Sequence, residues 1–113
     1  MRILNKKRKT IVSQNVEICS TYMKKARGLM FSKQKDLLFV QKKEEKVPLH
    51  MWFVFFPIDV VYLNKQKRVV EIKENFLPFT FYFPKHNAQY VLELTEGSVR
   101  KSKIQFMDYL VFD

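Results

Sequence analysis

Glycine is almost missing from this chain: 113 residues hold two, Gly28 and Gly97. A phosphate-cradling loop or a dinucleotide fingerprint needs several glycines close together, so both are excluded. Nor does an HExxH or GxSxG motif occur. Cysteine is rarer still. Cys19 stands alone, which rules out an intramolecular disulfide and any zinc site built on several thiolates. The longest uncharged apolar run, Met51 to Ile58, is far too short to span a bilayer. No apolar signal core follows the first residues, because Lys6-Lys7-Arg8-Lys9 intervenes. No N-x-S/T sequon is present. These absences point to a reducing compartment, with the cytoplasm as the expected location. Acidic residues are also scarce, 11 against 21 lysines and arginines, for a net charge of +10. Such a surface attracts polyanions. The lysines are spread through the whole chain rather than gathered into a stripe, so a solvated, colloidally stable exterior is the favoured explanation of them.

What the chain does have is aromatic bulk. Hydrophobic residues make up 47%, with eleven Phe, five Tyr and one Trp. A chain of this length can bury a core without covalent staples. We expect one domain over 1–113, with a basic, mobile segment at 1–10 and a folded core from 11 onward. Ile11 to Cys19 is β-leaning. Ser20 reads as the N-cap of a helix ending at Gly28. Leu37 to Val40 reads as a strand and Lys42 to Lys46 as a charged turn. Ile58–Leu63 and Arg68–Lys73 flank a polar turn, predicting a hairpin with Asn64 at positive φ. Tyr90–Leu94 reads as a strand, Thr95–Lys101 as a capped helical turn, and Ile104–Phe112 as the last strand. The fold class is mainly β: a compact, single-domain sandwich or barrel-like fold, closed or nearly so, with one or two short α-helices.

The stretch HMWFVFFPIDVVYL (His50 to Leu63) is apolar on both strand faces, so a strand there is expected to be covered on both sides. Pro57 marks an edge, bulge or bend within it. Its two polar members, His50 and Asp59, call for an explanation. Asp59 can bind main-chain N–H groups freed near Pro57, join a buried network with Arg27 or His50, or serve a ligand. Glu71 and Glu93 interrupt apolar strands, where a solvent-facing position is the simplest expectation. Whether Asp59 and Glu71 share a face depends on the hairpin register. Trp52, Phe53, Phe55, Phe56, Phe79, Phe81, Tyr82 and Phe83 can stack bases, but at this density they are expected to form the core. Neither histidine has a partner at metal-ligand spacing, so no metal and no cofactor is expected.

The segments ARGLMF (26–31), LLFV (37–40), PIDVVYL (57–63), RVVEIKEN (68–75) and YVLEL followed by Thr95-Glu96-Gly97 occur in an order that resembles the DUF192 (UPF0127) family of small uncharacterised proteins. The resemblance covers about 16 to 112. It implies a compact, mostly β fold with the RGLM helix packed on it, and places family-typical polar positions at Arg27, Asp59, Glu71 and Glu93. The chain departs from the family pattern in three places. HMWFV (50–54) stands where an FWMKNT-like segment is common. The hairpin turn Asn64–Lys67 lacks its usual glycine, and Met107-Asp108 replaces a Gly-Asp turn. Many family members also carry export signals.

These readings converge on a small non-enzymatic binding or accessory domain for an unknown small ligand or protein. Arg27, His50, Asp59 and Glu93 would line one region walled by aromatics such as Trp52 and Phe55. Two alternatives stay open: non-specific nucleic-acid binding through the lysine surface, and a hydrolase or lyase using Asp59 or Glu93 as general base.

Overall fold

The computed structural model describes residues 1–19 and 29–113. The predicted helix from Ser20, including Arg27, lies outside the described residues. Among the described residues there are ten strands: β1 (Ile3–Asn5), β2 (Thr10–Ser13), β3 (Val16–Cys19), β4 (Asp36–Glu45), β5 (Leu49–His50), β6 (Ile58–Leu63), β7 (Val69–Phe76), β8 (Phe81–Tyr82), β9 (Ala88–Thr95) and β10 (Leu110–Phe112). One short helix, α1 (Ser98–Ser102), follows β9. No helix among the described residues is long and apolar enough to cross a membrane.

A five-stranded sheet in the order β3-β4-β9-β6-β7 forms the middle layer. Its pairs are antiparallel except β3 with β4. β6 lies inside this sheet, and all six of its residues are buried. Period-2 alternation assigns its side chains to two cores. Val61 and Leu63 join Leu92, Leu94 and Leu38 on one face, under the three-stranded sheet β10-β1-β2 and α1. Ile58, Val60 and Tyr62 join Leu37, Phe39 and Val91 on the other, where the β5–β8 pair and Met51, Val54 and Phe76 cover them. The expectation of double coverage for the PIDVVYL strand therefore holds. The expected compact, mainly β fold is present; its layers are open sheets, and none closes into a barrel among the described residues.

The hairpin β6–β7 forms, but its turn differs from expectation. Lys67, not Asn64, carries the positive φ (63°). Asn64 instead accepts the N–H groups of Gln66 and Arg68 on its side-chain oxygen, both at 3.0 Å. This is the side-chain mimicry of a turn that Asn performs without leaving ordinary backbone space. Lys42 to Glu45 is not a turn: it continues β4 past its buried part, where charged side chains face solvent. The last strand is shorter than expected, because residues 105–108 turn back on Asp108.

Residues 1–10, expected as a basic arm, contribute β1 and pack into the fold. Ile3 and Asn5 are fully buried, and β1 is the central strand of its sheet. Asn5 donates from Nδ2 to Asp108 at 2.9 Å, while Arg8 grips the same carboxylate through Nε at 3.2 Å and Nη2 at 3.1 Å. Burial alone would push Asp108 upward in pKa, but the bonds from Arg8, Asn5 and the Gln105 N–H hold it below the usual carboxylate range.

Candidate functional site

Asp59 sits in β6 opposite a bulge. Two residues of β7, Glu74 and Asn75, face it between the Ile58–Phe76 and Val60–Lys73 pairs, and Asn75 takes φ 51°. The carboxylate is 1% exposed. Its Oδ1 accepts the Asn75 N–H at 3.0 Å; its Oδ2 accepts those of Gly97 and Val99, both at 3.0 Å. Gly97 is the N-cap of α1, with φ 89°, and has no side chain to cap with. Asp59 supplies the missing cap from another strand and binds the bulge with its second oxygen. The N–H groups it holds come from β7 and the β9–α1 corner, not from the chain next to Pro57. Both of its oxygens are thus engaged by main-chain donors from two separate elements. A cavity of about 380 Å³, lined also by Glu74, Glu96 and Arg100, borders it.

Glu71 and Glu93 are on the other side of the sheet. A second bulge, between Tyr62 and Leu63, sets Glu71 opposite Tyr62, so Asp59 and Glu71 face opposite ways. Neither glutamate is solvent-facing as expected. The Glu71 side chain is 9% exposed. It accepts the Tyr82 hydroxyl, the N–H groups of Lys85 (2.9 Å) and His86 (3.0 Å), and lies 2.9 Å from His86 Nδ1. Burial raises its pKa, but the Tyr82 and His86 bonds outweigh that and lower it. Tyr82 is pushed up to about 12 by burial and by Glu71. This cluster pins the connection from β8 to β9. Glu93, between Leu37 and Val60, is 7% exposed, and burial raises its pKa to about 8. Among the described residues it makes no hydrogen bond. A carboxyl poised near neutrality is a chemical resource. It is nonetheless separated from Asp59 by the thickness of the sheet. The structure thus does not gather His50, Asp59 and Glu93 into one region. Alternation forbids it, since positions 59 and 93 point to opposite faces of paired strands.

The largest departure concerns the aromatics. Trp52, Phe53, Phe55, Phe79, Phe81 and Phe83 were expected in the core, yet each is more than 40% exposed, and Phe31 and Leu77 join them. The reason is supply: Val54, Met51, Phe56 and Phe76 already fill the space over the central sheet. The loops 51–57 and 77–80 then carry their remaining rings outward. The rings touch one another. Phe31 stacks on Phe53 at 4.7 Å, and Trp52 meets Phe81 edge-on at 5.0 Å and Phe79 at 6.1 Å. Phe55 lies 5.6 Å from Phe79. Main-chain bonds hold the loops together: Phe31 N–H to Phe53 O (2.9 Å), Phe79 N–H to Met51 O (2.8 Å), Met51 N–H to Thr80 O (2.8 Å). His50 is exposed and accepts the Trp52 N–H on Nδ1 at 3.2 Å, shaping the loop rather than lining a pocket. Phe31, Phe53 and Phe79 all hold left-handed backbone, at φ 54°, 57° and 59°. For bulky side chains that conformation is a strained outlier, and strain of this kind gathers at functional places. The signal available in the sequence was an excess of aromatics over what two small cores can hold.

The chain matches the family model DUF192, described as "Uncharacterized ACR, COG1430", over residues 3–112. It belongs to the DUF192 family. The match takes in β1 and the basic residues beside it, further toward the start than the motifs alone reached. A UPF0127 protein of Thermococcus sibiricus is 32% identical over 101 residues, covering 86% of this chain but 65% of that protein, so the chain spans slightly under two thirds of that relative. A UPF0127 protein of Pyrococcus horikoshii is 31% identical over 109 residues, covering 94% of each. A crystal structure from Sinorhizobium meliloti, described as a "putative transcription regulator", superposes with a TM-score of 0.86 at 22% identity, covering 97% of this chain and 89% of that one. A protein of unknown function from Novosphingobium aromaticivorans superposes with a TM-score of 0.84 at 20% identity, covering 98% and 82%. At those identities the likeness concerns the DUF192 fold alone.

Proposed function

We propose that this DUF192 protein is a non-enzymatic binding domain whose contact surface is the exposed aromatic face. One observation carries the reading. A preformed cluster of exposed rings is maintained at strained backbone positions, although smaller or polar residues would sit there at lower cost. Asp59 and Glu71 act in it as clamps that shape the scaffold rather than as contact residues. Trp52, the only tryptophan of the chain, lies within the face and reports on it. Its emission is expected to shift on titration with one of three probes: anionic lipid vesicles, a single-stranded oligonucleotide, or the protein itself at rising concentration. The shift is expected to vanish in a Phe55→Ser/Phe83→Ser variant that melts like the wild type. No response to any of the three would remove the reading.

Nucleic acid is the second reading. The net charge of +10 and the number of exposed aromatics favour it, and it agrees with the description of the Sinorhizobium neighbour. It requires affinity for single strands that falls steeply with salt and is indifferent to Asp59. Affinity that stays flat from low to moderate salt would exclude it.

A further inference from the structure

We propose that the occupant of the aromatic face is the interface of a bilayer containing anionic lipid, which the protein touches from one side without crossing it. The inference rests on the reading of that face as the binding surface.

Charge is the first argument. The face is built from three segments, 29–35, 46–58 and 76–87. None of the chain's 11 acidic side chains falls within them, while Lys33, Lys46 and Lys85 do, and Lys35, at the border, is paired with Glu17 at 3.1 Å. Asp36, Glu45 and Asp59 adjoin the segment ends, and Glu71, which meets the third segment at Tyr82, is occupied by His86 and two main-chain N–H groups. An apolar surface accompanied by lysines and cleared of acids complements a plane of anionic headgroups over hydrocarbon.

Ring geometry is the second. A nucleic-acid strand needs an open ring face for each stacked base. Here Phe31 and Phe53 stack on each other, and Trp52 is held edge-on between Phe79 and Phe81, so the rings form one continuous apolar cap. The three segments also contain no arginine. They therefore lack the planar fork that grips phosphates and base edges, and offer only the point charges that suffice for a diffuse headgroup layer. The exposed cap is on the order of 800 Å², beyond the few hundred Å² usual on a soluble monomer. Tryptophan is also a residue favoured at the level of the headgroups.

The test is flotation of the full chain with vesicles of phosphatidylcholine alone and of phosphatidylcholine with phosphatidylglycerol, with Trp52 emission read in parallel. Binding and a blue shift are expected with the anionic vesicles, and much weaker binding with the neutral ones. Phe55→Ser/Phe83→Ser should lower the partition coefficient at least about tenfold. Lys33→Gln and Lys85→Gln should each lower it about fivefold at low salt. All these positions are exposed, so thermal melts confirm that the variants fold. Equal binding to neutral and anionic vesicles would overturn the proposal, as would none to either. If vesicles fail but Trp52 responds to an oligonucleotide or to self-association, the bilayer falls and the binding face stands. If all three probes fail, both fall.

Discussion

Replacing Asp59 should cost this fold more than its single side chain suggests. The carboxylate receives three main-chain N–H groups from two separate elements. In Asp59→Asn the amide keeps one acceptor oxygen. Turned toward α1 it retains Gly97 and Val99 as neutral bonds, but sets its NH₂ against the Asn75 N–H; turned the other way it loses the cap. A buried hydrogen bond to a charged group contributes roughly 1.5–3 kcal/mol, and an unsatisfied donor adds to its loss, so about 2–4 kcal/mol is expected. Asp59→Ala leaves all three donors without an acceptor and should reach about 4–5 kcal/mol. For a chain of this size 1 kcal/mol corresponds to about 4 °C, so the two variants should melt about 8–16 °C and 16–20 °C lower. Urea denaturation gives the energies, and amide exchange should show lost protection at Asn75, Gly97 and Val99 together. An alanine variant within about 1 kcal/mol of wild type would refute the clamp, as would exchange that quickens at only one of the two elements.

Glu93 should do the opposite. Its folded pKa of about 8 exceeds the ordinary value of 4.5, so the folded protein binds more protons than the unfolded chain between those limits, and stability falls as pH rises through them. Glu93→Gln should remove that slope, gaining roughly 2–4 kcal/mol at pH 7.5 and little at pH 4.5; parallel pH profiles for the two proteins would contradict this. Glu71 and Asp108 have lowered pKa values, so what they contribute is present above their ordinary range and lost as pH falls through the lowered values. Stability should therefore peak between these limbs, near pH 5, with the acid limb reduced in Glu71→Gln when denaturation is followed against pH. Met107 is exposed and holds φ 69°. Met107→Gly should stabilise by about 0.5–1 kcal/mol in urea denaturation, relief of left-handed strain exceeding the added chain entropy.

Those energies explain what could be read from the chain. The β6–β7 hairpin and the double burial of PIDVVYL were legible, because alternation and turn chemistry act over a few residues. A buried role for Asp59 was legible from its apolar flanks, but its partners were not. They lie 16, 38 and 40 residues away, and a bulge at Asn75 brings the first of them into reach. Asn5 and Arg8 passed as a solvated basic arm, because only folding brings Asp108, about a hundred residues on, to meet them. The aromatic face was hidden for another reason. Hydrophobicity reports which residues gain from burial, not how many places the layers provide, and Met51, Val54 and Phe76 had taken them.

β1 and β10 lie side by side, and the two chain ends exchange main-chain bonds between Arg2 and Asp113, at 2.9 and 2.8 Å. Residues 2 and 113 are thus stitched together within the small sheet that covers the core opposite Glu93. A short linker can join them without crossing either core, which makes the molecule topologically close to a ring. A circular permutant opened in the Asn64–Lys67 turn should keep every layer, and its new ends would emerge at the hairpin instead.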